Sequence, residues 1–136
     1  TWDTSRTIFR MKFDPKLVDE WVAIWNSYDL DQVPRIFLDD ERVTYFSSEK
    51  EGVVKGFQAL MDHHRGFGFV EGGKASPNKL WLEDIDVAFF EDSAVVTAIW
   101  FFRRGGSDQV QKGPVTLVYV PVDGVFRIAH ANFSNY

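Results

Sequence analysis

The stretch VTLVYVPVDGVFRIAHANFS (residues 115–134) contains two alternating apolar runs that are separated by Asp-Gly. Runs of Val, Ile, Tyr and Phe with a period of two are typical of strands, and Asp-Gly is a strong signal for a tight hairpin turn. We therefore predict an antiparallel hairpin whose strands cover 109–122 and 125–134. This hairpin decides the fold, because the segments before it must pack against its faces.

The last predicted strand carries both core-type and polar residues. Strict alternation places five of them on one face: Phe126, Ile128, His130, Asn132 and Ser134. The three polar residues could line a reactive site or a binding pocket, or they could form the solvated end of an ordinary strand. Residues two apart on a strand lie about 6.6 Å apart, and His130 and Ser134 are two such steps apart, so we do not expect a nucleophilic Ser–His pair.

Working outward from this hairpin, the remaining segments alternate between helical and strand patterns. Aromatic residues recur at helical spacing after a capping Asp14 and Pro15. The sequence predicts helices over 14–29, 29–40 and 54–67, a strand over 42–48, a glycine-rich loop over 66–79, and further strands over 80–90 and 93–104. The loop could be a flexible rim of a site or a plain connection. Helices followed by a meander indicate an α+β fold.

The strand AVVTAIWFF (94–102) is apolar on both alternating faces, whereas a sheet with one solvated face should alternate cleanly. Helices can cover one face, and a second copy of the sheet is the simplest cover for the other. We predict a homodimer through the outer face, formed by Val95, Thr97, Ile99, Phe101, Ala129, Ala131 and Phe133. The alternative is that Val and Thr are simply common in strands.

Composition bounds the class of protein. The 136 residues suit one domain (1–136, with 1–13 as an N-terminal extension), and 45% hydrophobic residues favour a packed core. With a net charge of −5, the chain lacks the excess of basic residues that is typical of nucleic-acid binding. The lack of cysteine excludes disulfides and thiol chemistry. No apolar run has the roughly 20 residues that span a bilayer. We expect no membrane partner and a cytoplasmic location, although a removed export signal is an alternative.

Several motifs resemble one superfamily. WNSYDLDQVPRIFLDDERVTYF is similar to its opening, VVKGFQAL to its glycine-initiated third helix, and VDGVFRIAHANFS to its final hairpin. The chain thus resembles the nuclear transport factor two-like (SnoaL-like) superfamily over most of 14–134, and its nearest subgroup is the association domain of calcium/calmodulin-dependent protein kinase two. The resemblance implies three N-terminal helices on a strongly curved antiparallel sheet, a cone or cystatin-like fold with an interior pocket.

The resemblance also bears on chemistry. In the association domain two arginines enter the cavity, and the matching positions here are Trp100 and Leu117, which argues against an anion site. The last strand of that subgroup carries His-x-His-x-Ser on the cavity face, matching His130, Asn132 and Ser134. In ketosteroid isomerases the general base lies where this chain has Tyr45. Tyr45 could therefore donate a hydrogen bond but could not act as that base.

From these observations we expect a pocket for a hydrophobic ligand, steroid-, polyketide- or aromatic-like, with no cofactor. The expected ligand-binding residues are Trp21, Trp25, Tyr28, Tyr45, His64, Trp100, Leu117, Tyr119, His130, Asn132 and Ser134. For the aromatic residues the alternative is plain core packing. Three other functions stay open: an isomerase, cyclase or dehydratase with His130 as acid–base and Tyr45 as electrophile, an oligomeric assembly module, and an engineered binder on this scaffold.

The sequence offers few side chains that could coordinate a metal ion. His63 and His64 are adjacent on a predicted helix and point about 100° apart, and no His-Glu-x-x-His pattern occurs. We therefore expect no metal site. The acidic residues Asp84 and Asp86, and the trio at 39–41, are expected to face solvent.

Overall fold

A computed structural model of the protein describes residues 13–136. The predicted N-terminal extension, 1–13, lies outside the described residues except for Phe13, which is buried against Tyr119 and Phe126. The described helices are α1 (Lys16–Ser27), α2 (Val33–Ile36) and α3 (Phe57–Gly66), with a 3-10 turn at Leu30–Gln32. The described strands are β1 (Thr44–Phe46), β2 (Val54–Lys55), β3 (Lys79–Phe90), β4 (Ser93–Arg103), β5 (Val110–Val122) and β6 (Val125–Phe133).

The described strands form one sheet in the order β2-β1-β6-β5-β4-β3. Its four long strands are antiparallel neighbours, as predicted, and the turn between β5 and β6 has positive φ at both Asp123 and Gly124. That conformation belongs to a type I′ hairpin turn, which matches strand twist. The sheet is mixed rather than wholly antiparallel, because β1 pairs with β6 in parallel.

The helices cover one face of this sheet, and the fold is α+β. Helix α1 buries Trp21, Ile24 and Trp25 against it. The second predicted helix is shorter than expected: it ends at Ile36, because Phe37 takes up an extended conformation and pairs with Ile128. The start of the third predicted helix is also different. Val54 and Lys55 pair with β1 as a strand, and the helix begins only after Gly56.

A β-bulge divides β6. On one side of it Ile128 pairs with Tyr119, and on the other side His130 pairs with Val118, so Ala129 is an extra residue. Cross-strand partners share a face, and an inserted residue therefore reverses the faces beyond it. The bulge lies where β6 changes its neighbour from the segment around Phe37 to β1.

The reversal corrects two expectations. Phe126 and Ile128 point into the core, but His130 and Asn132 are on the opposite, outer face. Ala131 and Phe133, which were expected on the outer face, are buried in the core instead. Strict alternation failed because it assumes that each residue of β6 has its own partner on β5.

A second irregularity occurs in β3, where the pairing with β4 shifts between Glu83 and Asp86. Asp84, with φ of 55°, lies in this bulge. Both Asp84 and Asp86 are exposed, although Asp86 shares the outer face with Trp81 rather than opposing it. Within residues 13–136 no helix is long and apolar enough to cross a membrane.

Candidate functional site

A cavity of about 90 Å³ opens between the C-terminal half of α1 and the inner face of the sheet. Its wall is largely aromatic and apolar: Trp25, Tyr28, Tyr45, Phe67, Leu80, Trp100, Phe102 and Phe133. Polar side chains complete the lining: Ser47, Ser48, Glu49, Asn78, Arg104 and Gln111. An apolar wall with a few polar groups is the usual makeup of a small-molecule pocket.

The sheet register explains why these residues meet. Leu80 pairs with Phe102, which in turn pairs with Gln111, so all three share the inner face. They lie where β3 begins, β4 ends and β5 begins, which is one end of the sheet. The cavity therefore sits at the end of the long strands rather than along their middle.

Phe133 is the centre of the aromatic cluster. Its ring centroid lies 5.6 Å from that of Trp100 and 6.0 Å from those of both Trp25 and Tyr45. Trp21 also contacts it, at 5.4 Å. Edge-to-face and tilted contacts of this kind hold aromatic rings in defined positions. Phe133 can occupy this position only because the bulge at Ala129 turns it inward.

Polar side chains meet at the mouth of the cavity. Arg104 lies 3.7 Å from Glu49, and its guanidinium lies 5.3 Å from the centre of the Phe102 ring. Asn78 donates a hydrogen bond to the Tyr28 hydroxyl at 3.0 Å and accepts one from the Gly105 amide at 2.9 Å. The Arg104–Glu49 pair is solvent-exposed, so its attraction is screened.

Three donors on the cavity wall differ in how they are satisfied. The Trp100 indole N–H donates to the backbone oxygen of Ser134 at 2.9 Å. The buried Trp25 Nε1 has no hydrogen-bond partner among the described residues. Tyr45 is also buried, and no hydrogen bond joins its hydroxyl to another residue in 13–136. Burial raises the pKa of Tyr45, so the phenol stays protonated and remains a donor.

His64 is fully buried behind this wall and does not line the cavity. Its Nδ1 lies 2.8 Å from the Leu60 carbonyl, which can only accept, so Nδ1 carries the proton. Its Nε2 has no partner among the described residues. Burial lowers the pKa of His64 to about 4, and burial followed by repulsion from Lys50 lowers that of the neighbouring His63.

The structure places four of the expected ligand-binding residues on the cavity wall: Trp25, Tyr28, Tyr45 and Trp100. Four others are buried elsewhere: Trp21, His64, Leu117 and Tyr119. Leu117 and Tyr119 lie further along β5, away from the end where the cavity opens. The alternation of β5 predicted that Leu117 and Tyr119 point inward. Only the packing of the helices decides whether an inward residue borders the cavity.

The last three expected residues lie away from the cavity. The His130 ring nitrogen Nδ1 is 2.7 Å from the Thr44 hydroxyl, on the outer face of the sheet. The Ser134 hydroxyl donates to Asn132 Oδ1 at 3.0 Å, and the Ser134 side chain is exposed. Only the backbone oxygen of Ser134 contacts a wall residue, Trp100.

The sequence interpretation missed all six polar side chains of the lining. Ser47, Ser48 and Glu49 follow β1, and Arg104 follows β4, so each lies at a strand end where alternation gives no signal. Leu80 and Phe102 could have been found from the predicted β3–β4 pairing. The sequence-based picture of a cavity without a cation is also incomplete, since Arg104 stands at the mouth.

The loop over 66–79 contributes Phe67 and Asn78 to the wall. Backbone hydrogen bonds hold its middle against the end of α1, from Lys74 to the Ser27 oxygen and from Val70 to the Tyr28 oxygen. Within residues 13–136, no group of three His, Asp or Glu side chains is arranged to hold a metal ion.

No family model matches the chain, and no curated protein matches it. Solved structures do match. A nuclear transport factor 2 (NTF2-like) superfamily protein from Salmonella enterica is 18% identical with a TM-score of 0.74, covering 98% of this chain and 93% of that one. The S. rosetta CaMKII hub is 23% identical with a TM-score of 0.71, covering 89% and 92%.

A scytalone dehydratase-like protein from Novosphingobium aromaticivorans is 14% identical, with a TM-score of 0.73 and coverage of 98% and 89%. Proteins with such different functions share this architecture, so the similarity establishes architecture and not activity. The resemblance read from the sequence is confirmed at that level: the chain has the NTF2-like, cystatin-like cone fold.

Proposed function

We propose that the protein binds a small, largely apolar aromatic molecule in the cavity at the end of its sheet. The observation that carries this proposal is the enclosure of that space by Trp25, Tyr45, Trp100 and Phe133 beneath a polar mouth. Aromatic side chains provide a large contact area, and the polar groups at the mouth can orient the ligand.

The size of the cavity narrows the ligand class. Drug-sized ligands occupy pockets of about 300–1,000 Å³, whereas an apolar cavity of roughly 150 Å³ holds benzene. A volume of about 90 Å³ with an open mouth therefore suits at most a single ring, part of which lies in the mouth. A steroid- or polyketide-sized ligand would require the wall to rearrange.

The proposal assigns no proton transfer in the cavity to His130. Its side chain is on the outer face, hydrogen-bonded to Thr44, whereas an acid–base group must lie within hydrogen-bond reach of the reacting atom. Tyr45 stays on the wall as a donor. Binding is thus better supported than an isomerase, cyclase or dehydratase mechanism that uses His130.

A direct test is thermal melting and calorimetry with neutral one-ring aromatics. Gln111→Trp fills the mouth, and Gln109→Trp is the matched control because Gln109 does not line the cavity. Ligand at about 100 times its Kd should stabilise the wild type by about 2.7 kcal/mol. Gln111→Trp should abolish this effect and Gln109→Trp should keep it. Equal binding by both variants would place the ligand elsewhere.

A second candidate function is self-assembly through the outer face of the sheet. The specific observation is that this face carries half-buried Val95, Ile99 and Phe101, with Phe101 stacked on Trp81 at 5.5 Å and 9°. The hub proteins among the similar structures lend support for an assembly role. We propose a homodimer, and it is compatible with ligand binding because the cavity opens on the other face.

A further inference from the structure

We propose that Trp25 and Tyr45 form a pair of donors that selects a neutral acceptor oxygen, such as the carbonyl of an aromatic aldehyde, ketone or amide. The inference rests on the proposed ligand-binding function and specifies the ligand's chemical class. It starts from two wall residues, Trp25 and Tyr45, whose donor groups lack partners among the described residues.

Free donors in a buried position are costly. An unsatisfied buried polar group destabilises the folded state, and most such groups in folded proteins have a partner. Trp25 is 7% exposed and Tyr45 is 1% exposed, so bulk water does not readily satisfy them. Both line the cavity and both contact Phe133, so a ligand in the cavity is the natural source of an acceptor.

Trp100 provides the internal comparison. It lines the same cavity with an indole of the same size, but its N–H is already bonded to the Ser134 backbone oxygen. The wall therefore contains one indole whose N–H is committed to the protein and one whose N–H is not. This difference makes Trp100 a matched control for Trp25.

The charge of the surroundings favours a neutral ligand group. The described cation on the wall is Arg104, which lies at the mouth beside Glu49. A carboxylate near Trp25 and Tyr45 would be desolvated without a cation to balance it, which is unfavourable. A carbonyl accepts the same hydrogen bonds without that cost. The unpartnered ring nitrogens nearby, His63 Nε2 and His64 Nε2, belong to residues that do not line the cavity.

A competing arrangement pairs Trp25 with His64. Their ring centroids lie 5.7 Å apart, one offers an N–H and the other a bare nitrogen, and neither has a partner in the described structure. If a small movement joined these two, Trp25 would have no donor left for a ligand. The experiment therefore has to separate a ligand-directed Trp25 from an internally paired one.

The probes are benzaldehyde and styrene, which have similar shape and differ in one acceptor oxygen. Because water solvates them differently, the informative quantity is the change in their affinity ratio on substitution. Loss of one hydrogen bond of about 1 kcal/mol should weaken benzaldehyde about fivefold relative to styrene. We expect this for both Tyr45→Phe and Trp25→Phe, whereas Trp100→Phe should change both affinities alike.

A spectroscopic measurement checks the same point without relying on affinity. In ¹H–¹⁵N spectra the Trp25 indole signal, assigned through Trp25→Phe, should move downfield with benzaldehyde and much less with styrene. The Trp100 signal should respond equally to both. An unchanged affinity ratio in Tyr45→Phe and Trp25→Phe, with an unmoved Trp25 signal, would overturn the inference and favour the internal Trp25–His64 pair.

Benzoate tests the charge of the ligand group. We expect it to bind at least tenfold more weakly than benzaldehyde. Tighter binding of benzoate, lost in Arg104→Gln, would overturn the neutral class and assign an anion to the mouth. If both neutral probes bind but their affinity ratio does not depend on Trp25 or Tyr45, this inference is refuted and the proposed ligand-binding function stands. If neither neutral probe binds, the proposed function fails and this inference fails with it.

Discussion

The Thr44 hydroxyl and His130 Nδ1 are 2.7 Å apart, across the parallel pairing of β1 with β6, on the outer face of the sheet. The alternating pattern of β6 predicted His130 inside the cavity. One extra residue, Ala129, puts it on the other side. Consequently the only described histidines near the cavity are His63 and His64 on α3, and neither lines it.

The first prediction concerns this pair. His130→Ala should leave the affinity for a cavity ligand unchanged within about twofold, because the side chain lies on the opposite face of the sheet. It should cost about 1 kcal/mol of stability through the lost hydrogen bond to Thr44. Calorimetric titration and urea denaturation measure the two effects. Thr44→Val removes the same hydrogen bond from the other residue and serves as the control. A tenfold loss of ligand affinity in His130→Ala would contradict the placement of His130 on the outer face.

The second prediction concerns the bulge. Insertion of one alanine between Val118 and Tyr119 of β5 gives Ala129 its own partner and restores strict alternation, so that inward placement of Ile128 would turn Phe133 out of the core. Burial of a large apolar side chain contributes about 1.5–3 kcal/mol, so loss of Phe133 and Ala131 from the core should destabilise the protein by several kcal/mol. Urea denaturation measures this. Deletion of Ala129 removes the bulge but leaves Phe133 opposite Val115 on the inner face, so it should cost far less. Equal stability of the insertion variant and the wild type would refute the role of the bulge.

The third prediction concerns pH. Because the folded pKa of His64 is about 4 and its ordinary value is about 6.5, the unfolded state binds more protons between those values. Its contribution to stability is therefore complete above pH 6.5 and is lost as the pH falls toward 4. From pH 7 to pH 5 the wild type should lose roughly 2 kcal/mol through this group.

His64→Gln, which keeps a donor for the Leu60 carbonyl, should lose correspondingly less over the same interval. The control is His130→Gln, which should retain the wild-type pH dependence arising from His64. Denaturation at both pH values measures the difference between variants. A His64→Gln variant with the full wild-type pH dependence would show that His64 is not the responsible group.

The fourth prediction compares two phenylalanines, Phe133 and Phe101, that strict alternation predicted on the same outer face. Phe133→Ala removes the ring around which Trp21, Trp25, Tyr45 and Trp100 pack, so it should cost about 3–5 kcal/mol and weaken ligand binding. Phe101→Ala removes a half-exposed ring stacked on Trp81 and should cost less. Denaturation and thermal melting with ligand test both variants. If Phe101→Ala destabilised the protein more than Phe133→Ala, the assignment of Phe133 to the core and of Phe101 to the outer face would be wrong.

The fifth prediction concerns the proposed dimer. Ile99→Glu introduces a charge into the outer face and should shift the protein from dimer to monomer in sedimentation equilibrium. Val53→Glu also replaces an exposed apolar residue, but Val53 lies outside the sheet and should leave the mass unchanged. A wild-type protein that sediments as a monomer would exclude the dimer at the concentrations tested.

Much of the fold was predictable from local pattern. The four long strands lie within a residue or two of their predicted limits, because period-two runs of Val, Ile, Phe and Tyr are bounded by turn signals such as Asp123-Gly124. Helix α1 was equally predictable from its aromatic spacing. Short elements were less so: the pairing of Val54 with Tyr45 of β1 depends on a partner distant in sequence, which no local propensity reveals.

The candidate site was also predictable only in part. Local sequence determined that Trp25, Tyr28 and Trp100 would point toward the interior, because helical and strand periods fix the side-chain direction. Tertiary structure decided which inward residues border empty space and which are packed solid, as Leu117 and Tyr119 are. It also decided on which face His130 lies, because a bulge arises from pairing between strands, and pairing is a property of the folded sheet rather than of one strand.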